Sequence, residues 1–177
     1  QTGCGTVDIM MHTLERYFGW STDSLITDRL AEGLLKAVIE AGRIADKNPR
    51  DYEARAALMW AGSLSHNGLT GLGRDFFMQV HQLEHELSGM YPEIAHGAGL
   101  SALFCSWARY VCPARPERFA QYAAQVWQIA MDENDPMKTA LAGIDATEEY
   151  FKSLGMPVSL KELHVDPARF EEMAEKC

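Results

Sequence analysis

The chain has 177 residues, 47% hydrophobic and 23% charged, enough for a well-buried core of ordinary globular composition and, by default, one domain. Its formal net charge of −9 excludes the clustered Lys and Arg that neutralise nucleic-acid phosphates or bind anionic lipid headgroups, so neither nucleic acid nor membrane is an expected partner. The longest apolar stretch, residues 98–112, is broken by Ser106 and Arg109 and falls short of the roughly 20 residues of a membrane span, and no secretory signal is visible.

Helical periodicity dominates, with no run of alternating β-branched residues joined by a hairpin turn, so the expected fold class is all-α. The first helix is predicted from Val7 to Phe18, and Gly19 and Trp20 leave it. Residues Ser21 to Ser24 offer N-caps for a long second helix reaching Asp46, stopped by Asn48 and Pro49. A third runs from Arg50 to Ser65 and ends in the turn signal His66, Asn67, Gly68. The fourth spans Asp75 to Met90 and is closed by Pro92. A short link leads to His96 and Gly97, after which Ala98 to Val111 reads as a fifth helix, apolar nearly all round. Pro113 and Pro116 punctuate the chain, and further helices are expected at Pro116–Ile129, Asp135–Leu154 and, with Asp166 as cap, Pro167–Glu175.

The cysteines Cys4, Cys105, Cys112 and Cys177 show no CxxC spacing. On one helix Cys105 and Cys112 would lie about 10 Å apart, beyond disulfide reach, so reduced thiols in a cytoplasmic protein are the expectation. The first residue is Gln1 rather than Met, with QTGCG already poised to enter a helix, which reads as a chain cut from something longer. The glycine groups Gly68, Gly71, Gly73 and Gly97, Gly99 follow no strand, so turns or close packing explain them better than a dinucleotide or phosphate cradle.

The chemistry concentrates in Asp8, His12, His81, His85 and His96. Asp8 and His12, like His81 and His85, are four apart, which on a helix advancing about 100° per residue puts each pair on one face. Any one of these residues alone is more often a solvated or capped polar group than a ligand. Their neighbours change the reading: VDIMMH and FFMQVHQLEHEL are otherwise apolar on the same stripes, where an unpaired carboxylate or two facing imidazoles call for a cation. Imidazoles with a carboxylate suit a borderline divalent metal such as iron(II) or zinc better than calcium or magnesium. Periodicity nominates His81 with His85, yet it does not choose between His85 and His96. His66, at a helix end, and His164, in a charged tail, are assigned to structure or solvent, and the methionines to core filling.

The segments GTVDIMMHTLERYF, SHNGL and VHQLEHELSGMYPEIAHGAGLSALFCSWARYV, with their spacing, resemble the iron-containing alcohol dehydrogenases, closest to the butanol dehydrogenase-like branch. The resemblance runs over nearly the whole chain and implies the all-helical, bundle-like C-terminal domain of the dehydroquinate synthase-like fold, spanning residues 1–177 without the family's N-terminal nucleotide-binding domain. Carried over residue by residue, it implies Asp8, His12, His81 and His96 as metal ligands and His85 as the additional histidine near the substrate. In one departure from the pattern, the MYPEIAHG segment is a residue longer than in several members, a difference a loop absorbs. The implied activity is metal-assisted hydride transfer between a small alcohol or aldehyde and NAD(P), with Fe2+, or Zn2+ or Ni2+, in the site and turnover only in the longer polypeptide. A non-catalytic helical metal-binding module is the alternative, and the oligomeric state is left open, a homodimer included. A helical metal-dependent phosphohydrolase needs a His-Asp dipeptide, which the chain lacks.

Overall fold

Residues Thr2–Tyr17 form helix α1, whose stripe Val7, Met10, Met11, Leu14 and Tyr17 is fully buried. Burial extends past that stripe to Thr6, Thr13, Glu15 and Arg16, as expected of a helix covered on several sides. The protein is seen as a computed structural model that describes residues 1–20 and 24–177. After α1 come α2 (Leu25–Lys47), α3 (Tyr52–His66), α4 (Gln79–Met90), α5 (His96–Val111), α6 (Pro116–Trp127), α7 (Pro136–Ser153) and α8 (Phe170–Lys176). Short 3-10 turns at Leu69–Gly71, Cys112–Ala114 and Pro167–Arg169 join them, and no strand occurs among the described residues. The all-α expectation is met. Among the same residues, no helix is long and apolar enough to cross a membrane.

Helix α1 packs against α2, α3 and α5, while α6 and α7 pair as a hairpin laid on α2 and α5. The hairpin is tight because Gly143 of α7 lets the Ala123 backbone of α6 approach, and the Tyr122 hydroxyl meets Thr147 Oγ1 at 2.7 Å. Phe18, just past α1, stacks on Phe119 of α6 at 4.0 Å between centroids and closes that end of the core. A smaller cluster of Leu87, Val165 and Met173 docks the C-terminal segment on α4.

Helix boundaries shift from the expected ones for local reasons. Helix α1 begins at Thr2, five residues early, and Thr6 Oγ1 donates back to the Thr2 carbonyl at 2.9 Å. The N-caps expected at positions 21–23 lie outside the described residues; Ser24 is the N-cap of α2, and its hydroxyl donates to Thr27 Oγ1 at 2.9 Å. Helix α4 starts at Gln79 rather than Asp75. The Asp75 carbonyl is taken by the Trp20 N–H at 2.9 Å, and the Val80 N–H of the first turn donates to the Glu15 carboxylate at 2.6 Å, so Phe77 is left outside the helix and exposed. Capping by a carboxylate from another helix is invisible to local pattern.

Helices α1 and α5 approach closely where Gly97 faces Cys4: a Cβ at Gly97 would stand 2.6 Å from the Cys4 Cα. Gly97→Ala therefore has to push α5 off α1, and an unfolding stability lower by about 1–3 kcal/mol is expected. A denaturant midpoint equal to that of the unaltered protein would contradict this close approach.

Candidate metal centre

Four helices meet at the carboxylate of Asp8. Asp8 and His12 stand one turn apart on α1, His66 ends α3, His81 lies in the first turn of α4, and His96 opens α5. The Nε2 atoms of His81, His12 and His96 lie 3.4, 3.6 and 3.6 Å from Asp8 Oδ1. His66 Nε2 lies 3.6 Å from the other carboxylate oxygen, Oδ2. The rings crowd accordingly, with centroids 4.3 Å apart for His12 and His81 and 5.4 Å apart for His81 and His96. His96 opens α5 after the short link that follows α4 and lies within reach of Asp8.

Two carboxylates that the sequence reading passed over set the ring orientations. Glu15, 2% exposed, accepts a short hydrogen bond from His81 Nδ1 and also the Val80 N–H. Glu84, fully buried, accepts a short bond from His96 Nδ1 and one from the Ser88 hydroxyl. With Nδ1–H committed to a carboxylate, the neutral ring keeps its lone pair on Nε2, aimed at Asp8. Gly99 makes this possible in α5, since a side chain there would occupy the space of the Glu84 carboxylate arm. The available signal was positional: Glu15 follows His12 by three residues and Glu84 follows His81 by three, which places each carboxylate on the inward face of its helix.

His85 is exposed beside the centre, its ring 5.7 Å from that of His96 and 6.2 Å from that of His81. His66, assigned from the sequence to structure or solvent, is exposed and bonded through Nδ1 to the Gly62 carbonyl at 2.8 Å. Packing of α3 on α1 carries it to Asp8, with its ring 3.9 Å from that of His12.

Electrostatics follow the crowding. Burial pushes the Asp8 carboxyl up, but the His81 hydrogen bond and the imidazoles of His12, His96 and His66 outweigh it and hold the group below its ordinary value. Burial, joined by the neighbouring rings of His81 and His66, brings His12 down to about 4. For His81, burial favours the neutral ring, yet the Asp8 and Glu15 carboxylates prevail and raise it to about 9. His12 Nδ1 is buried with no hydrogen-bond partner.

Asp8, His81 and His96 offer ligand atoms all within 4.8 Å of one another, as do Asp8, His12 and His66, and the chemistry of these donors fits a divalent transition ion. Two donors bound at about 2.1 Å around a tetrahedral ion sit about 3.4 Å apart, and the spacings at Asp8 Oδ1 run from 3.4 to 3.6 Å. Borderline nitrogen donors with one carboxylate disfavour calcium and magnesium.

Known proteins carry the same arrangement of helices. Residues 2–177 match the family described as Fe-containing alcohol dehydrogenase, C-terminal. The chain is 43% identical over its whole length to NADH-dependent butanol dehydrogenase A of Clostridium acetobutylicum and 34% identical over 99% of it to the NADPH-dependent aldehyde reductase YqhD of Escherichia coli, spanning 45% of the length of each. The solved structure of the E. coli aldehyde reductase superposes with a TM-score of 0.92 at 34% identity, covering 99% of this chain and 46% of that one. NADH-dependent butanol dehydrogenase A of Thermotoga maritima does so with a TM-score of 0.92 at 33% identity, covering 99% and 43%. By the extent of the family match and the identity of the whole helical arrangement, the chain belongs to the Fe-containing alcohol dehydrogenase family, to the C-terminal part of its sequences.

Proposed function

We propose that this chain forms the cation-binding side of an active site that transfers hydride between a small alcohol or aldehyde and NAD(P), with Asp8, His12, His81 and His96 as metal ligands. The observation that carries the reading is the convergence of three Nε2 atoms within 3.6 Å of Asp8 Oδ1. When bound, a divalent ion there supplies Lewis acidity toward the alcohol or aldehyde oxygen. The protein's own share is orientation. Glu15 and Glu84 hold the His81 and His96 rings with Nε2 inward, and Asp8 offsets the charge of the ion. His85, exposed next to His96, is positioned to hold or pass a proton at a ring nitrogen on the solvent side.

The ion proposed is iron(II), in keeping with the family description; zinc and nickel satisfy the same donors. The nicotinamide cofactor is proposed to bind a separate N-terminal domain of the same polypeptide. Two facts support this: the relatives named as NADH- or NADPH-dependent are more than twice as long as the span matched here, and Gly97 and Gly99 are consumed by packing on Cys4 and Glu84. All four cysteines are free thiols, which favours a reducing, cytoplasmic setting.

The full polypeptide purified without oxygen is expected to carry one equivalent of transition metal and to oxidise NAD(P)H with a short-chain aldehyde, losing activity to a chelator and regaining it on readdition of the ion. Protein that holds no metal in stoichiometric amount, or that keeps its rate after chelation, would reject the reading.

A further inference from the structure

Five large apolar side chains stand exposed on two adjoining stretches of chain. Trp20, Leu25, Ile26, Leu72 and Phe77 are each between 57 and 74% exposed. The stretches are bonded side by side, the Trp20 N–H donating to the Asp75 carbonyl at 2.9 Å and Thr27 Oγ1 to the Leu72 carbonyl at 3.0 Å. Gly19 permits that approach, since a Cβ there would stand 2.6 Å from the Asp75 carbonyl oxygen. Single exposed apolar residues are ordinary on a protein surface, whereas several together, amounting to a few hundred Å2, mark a surface that something covers.

The patch adjoins the metal centre from behind. Trp20 and Phe77 share the rim of one small cavity, and that cavity is lined on its inner side by Glu15, the buried carboxylate bonded to His81 Nδ1. Phe77 itself stands four residues before His81. Hydride passes only between atoms held about 3–3.5 Å apart, so whatever carries the nicotinamide ring has to rest on this chain near the centre and keep its register with it. The relatives named as NADH- or NADPH-dependent are more than twice as long as the span matched here, which supplies a covering body of the right kind within one polypeptide.

We propose that Trp20, Leu25, Ile26, Leu72 and Phe77 form the seat on which the N-terminal, cofactor-binding domain of the same polypeptide docks. The inference rests on the function proposed above and adds to it the surface that holds the two domains in register.

The test places a photoreactive benzophenone side chain at position 26, and separately at position 72, of the full polypeptide and maps the peptide captured on irradiation. The expected product is a link within one chain to a peptide of the N-terminal domain. A link to any other peptide of the chain, a link between two chains, or no link from either position would overturn the proposal. The paired substitution Ile26→Glu with Leu72→Glu, at two side chains the helical core does not use, is expected to leave the metal content unchanged and to lower kcat/KM for NAD(P)H by at least about tenfold, because small misplacements of reacting groups are costly. An unchanged kcat/KM in that variant would also overturn it. An unaltered polypeptide that holds no metal or does not oxidise NAD(P)H would reject the function proposed above, while the captured peptide, which depends on neither, still decides the docking surface.

Discussion

Replacing His81 by alanine is expected to leave the protein without its cation, while His85→Ala keeps the ion and loses turnover. His81 is the donor with the least freedom: it is 5% exposed, its Nδ1 is bound to buried Glu15, and its Nε2 is the nitrogen nearest Asp8 Oδ1, at 3.4 Å. Outer carboxylates that only orient a ligand are worth about 10- to 100-fold in metal affinity, so removing the ligand itself is expected to cost at least about 100-fold. The fold survives because Glu15 keeps its bond from the Val80 N–H at 2.6 Å. His85 is exposed and, among the described residues, shares no group of converging ligand atoms with Asp8, and its loss is expected to lower kcat at full metal content. Elemental analysis after dialysis, with turnover measured on the same samples, separates the two. Equal metal in the unaltered protein and His81→Ala would refute the ligand assignment.

The second large effect concerns stability. Arg118 of α6 is buried at 6% exposure and binds both oxygens of Asp28 in α2, through Nη2 at 2.7 Å and Nη1 at 2.8 Å. Its Nε and Nη2 also donate to the Tyr17 carbonyl at the end of α1, at 2.9 and 2.8 Å, and the guanidinium lies 3.7 Å over the Tyr17 ring. One side chain thus ties three helices together. Arg118→Ala leaves Asp28 buried with Arg74 as its remaining cation and strips two donors from the Tyr17 carbonyl. Breaking a buried pair from one side typically costs about 3–5 kcal/mol, and a loss in that range is expected in urea or thermal unfolding. Arg118→Lys is not expected to restore it, because an ammonium cannot reproduce the planar fork. A loss under about 1 kcal/mol would mean that the network is no more than a surface pair in effect.

Helix number and order were legible in the chain because apolar spacing, proline stops and caps such as Asp166, whose side chain accepts the Ala168 N–H, all act locally. The start of α4 was not, since the group that terminates it comes from Glu15, 65 residues away. The site divides the same way. Asp8 with His12 follows from the i, i+4 rule, but the rule places His85 as well as His81 on that stripe, and only the resemblance favoured His96 over His85. Helix α4 turns His81 inward and leaves His85 exposed, a difference of face that four-residue spacing cannot resolve. Glu15 and Glu84 look like ordinary helix-surface acids until the opposing helix is in view. His66 reads as a helix-end histidine, and what draws it to Asp8 is the docking of α3 on α1 through Arg16.

The distance along the chain between the groups at this centre also dictates an order of events. Asp8 meets a ring 73 residues further on in His81, and no two helices adjacent in sequence supply more than part of the set. Closing loops of that size precedes any reward from the contacts they bring together. The full set of proposed donors, Asp8, His12, His81 and His96, is therefore not assembled until the fifth helix has docked. With the ligands proposed above, loading of an ion is expected to follow assembly of the helices rather than to guide it.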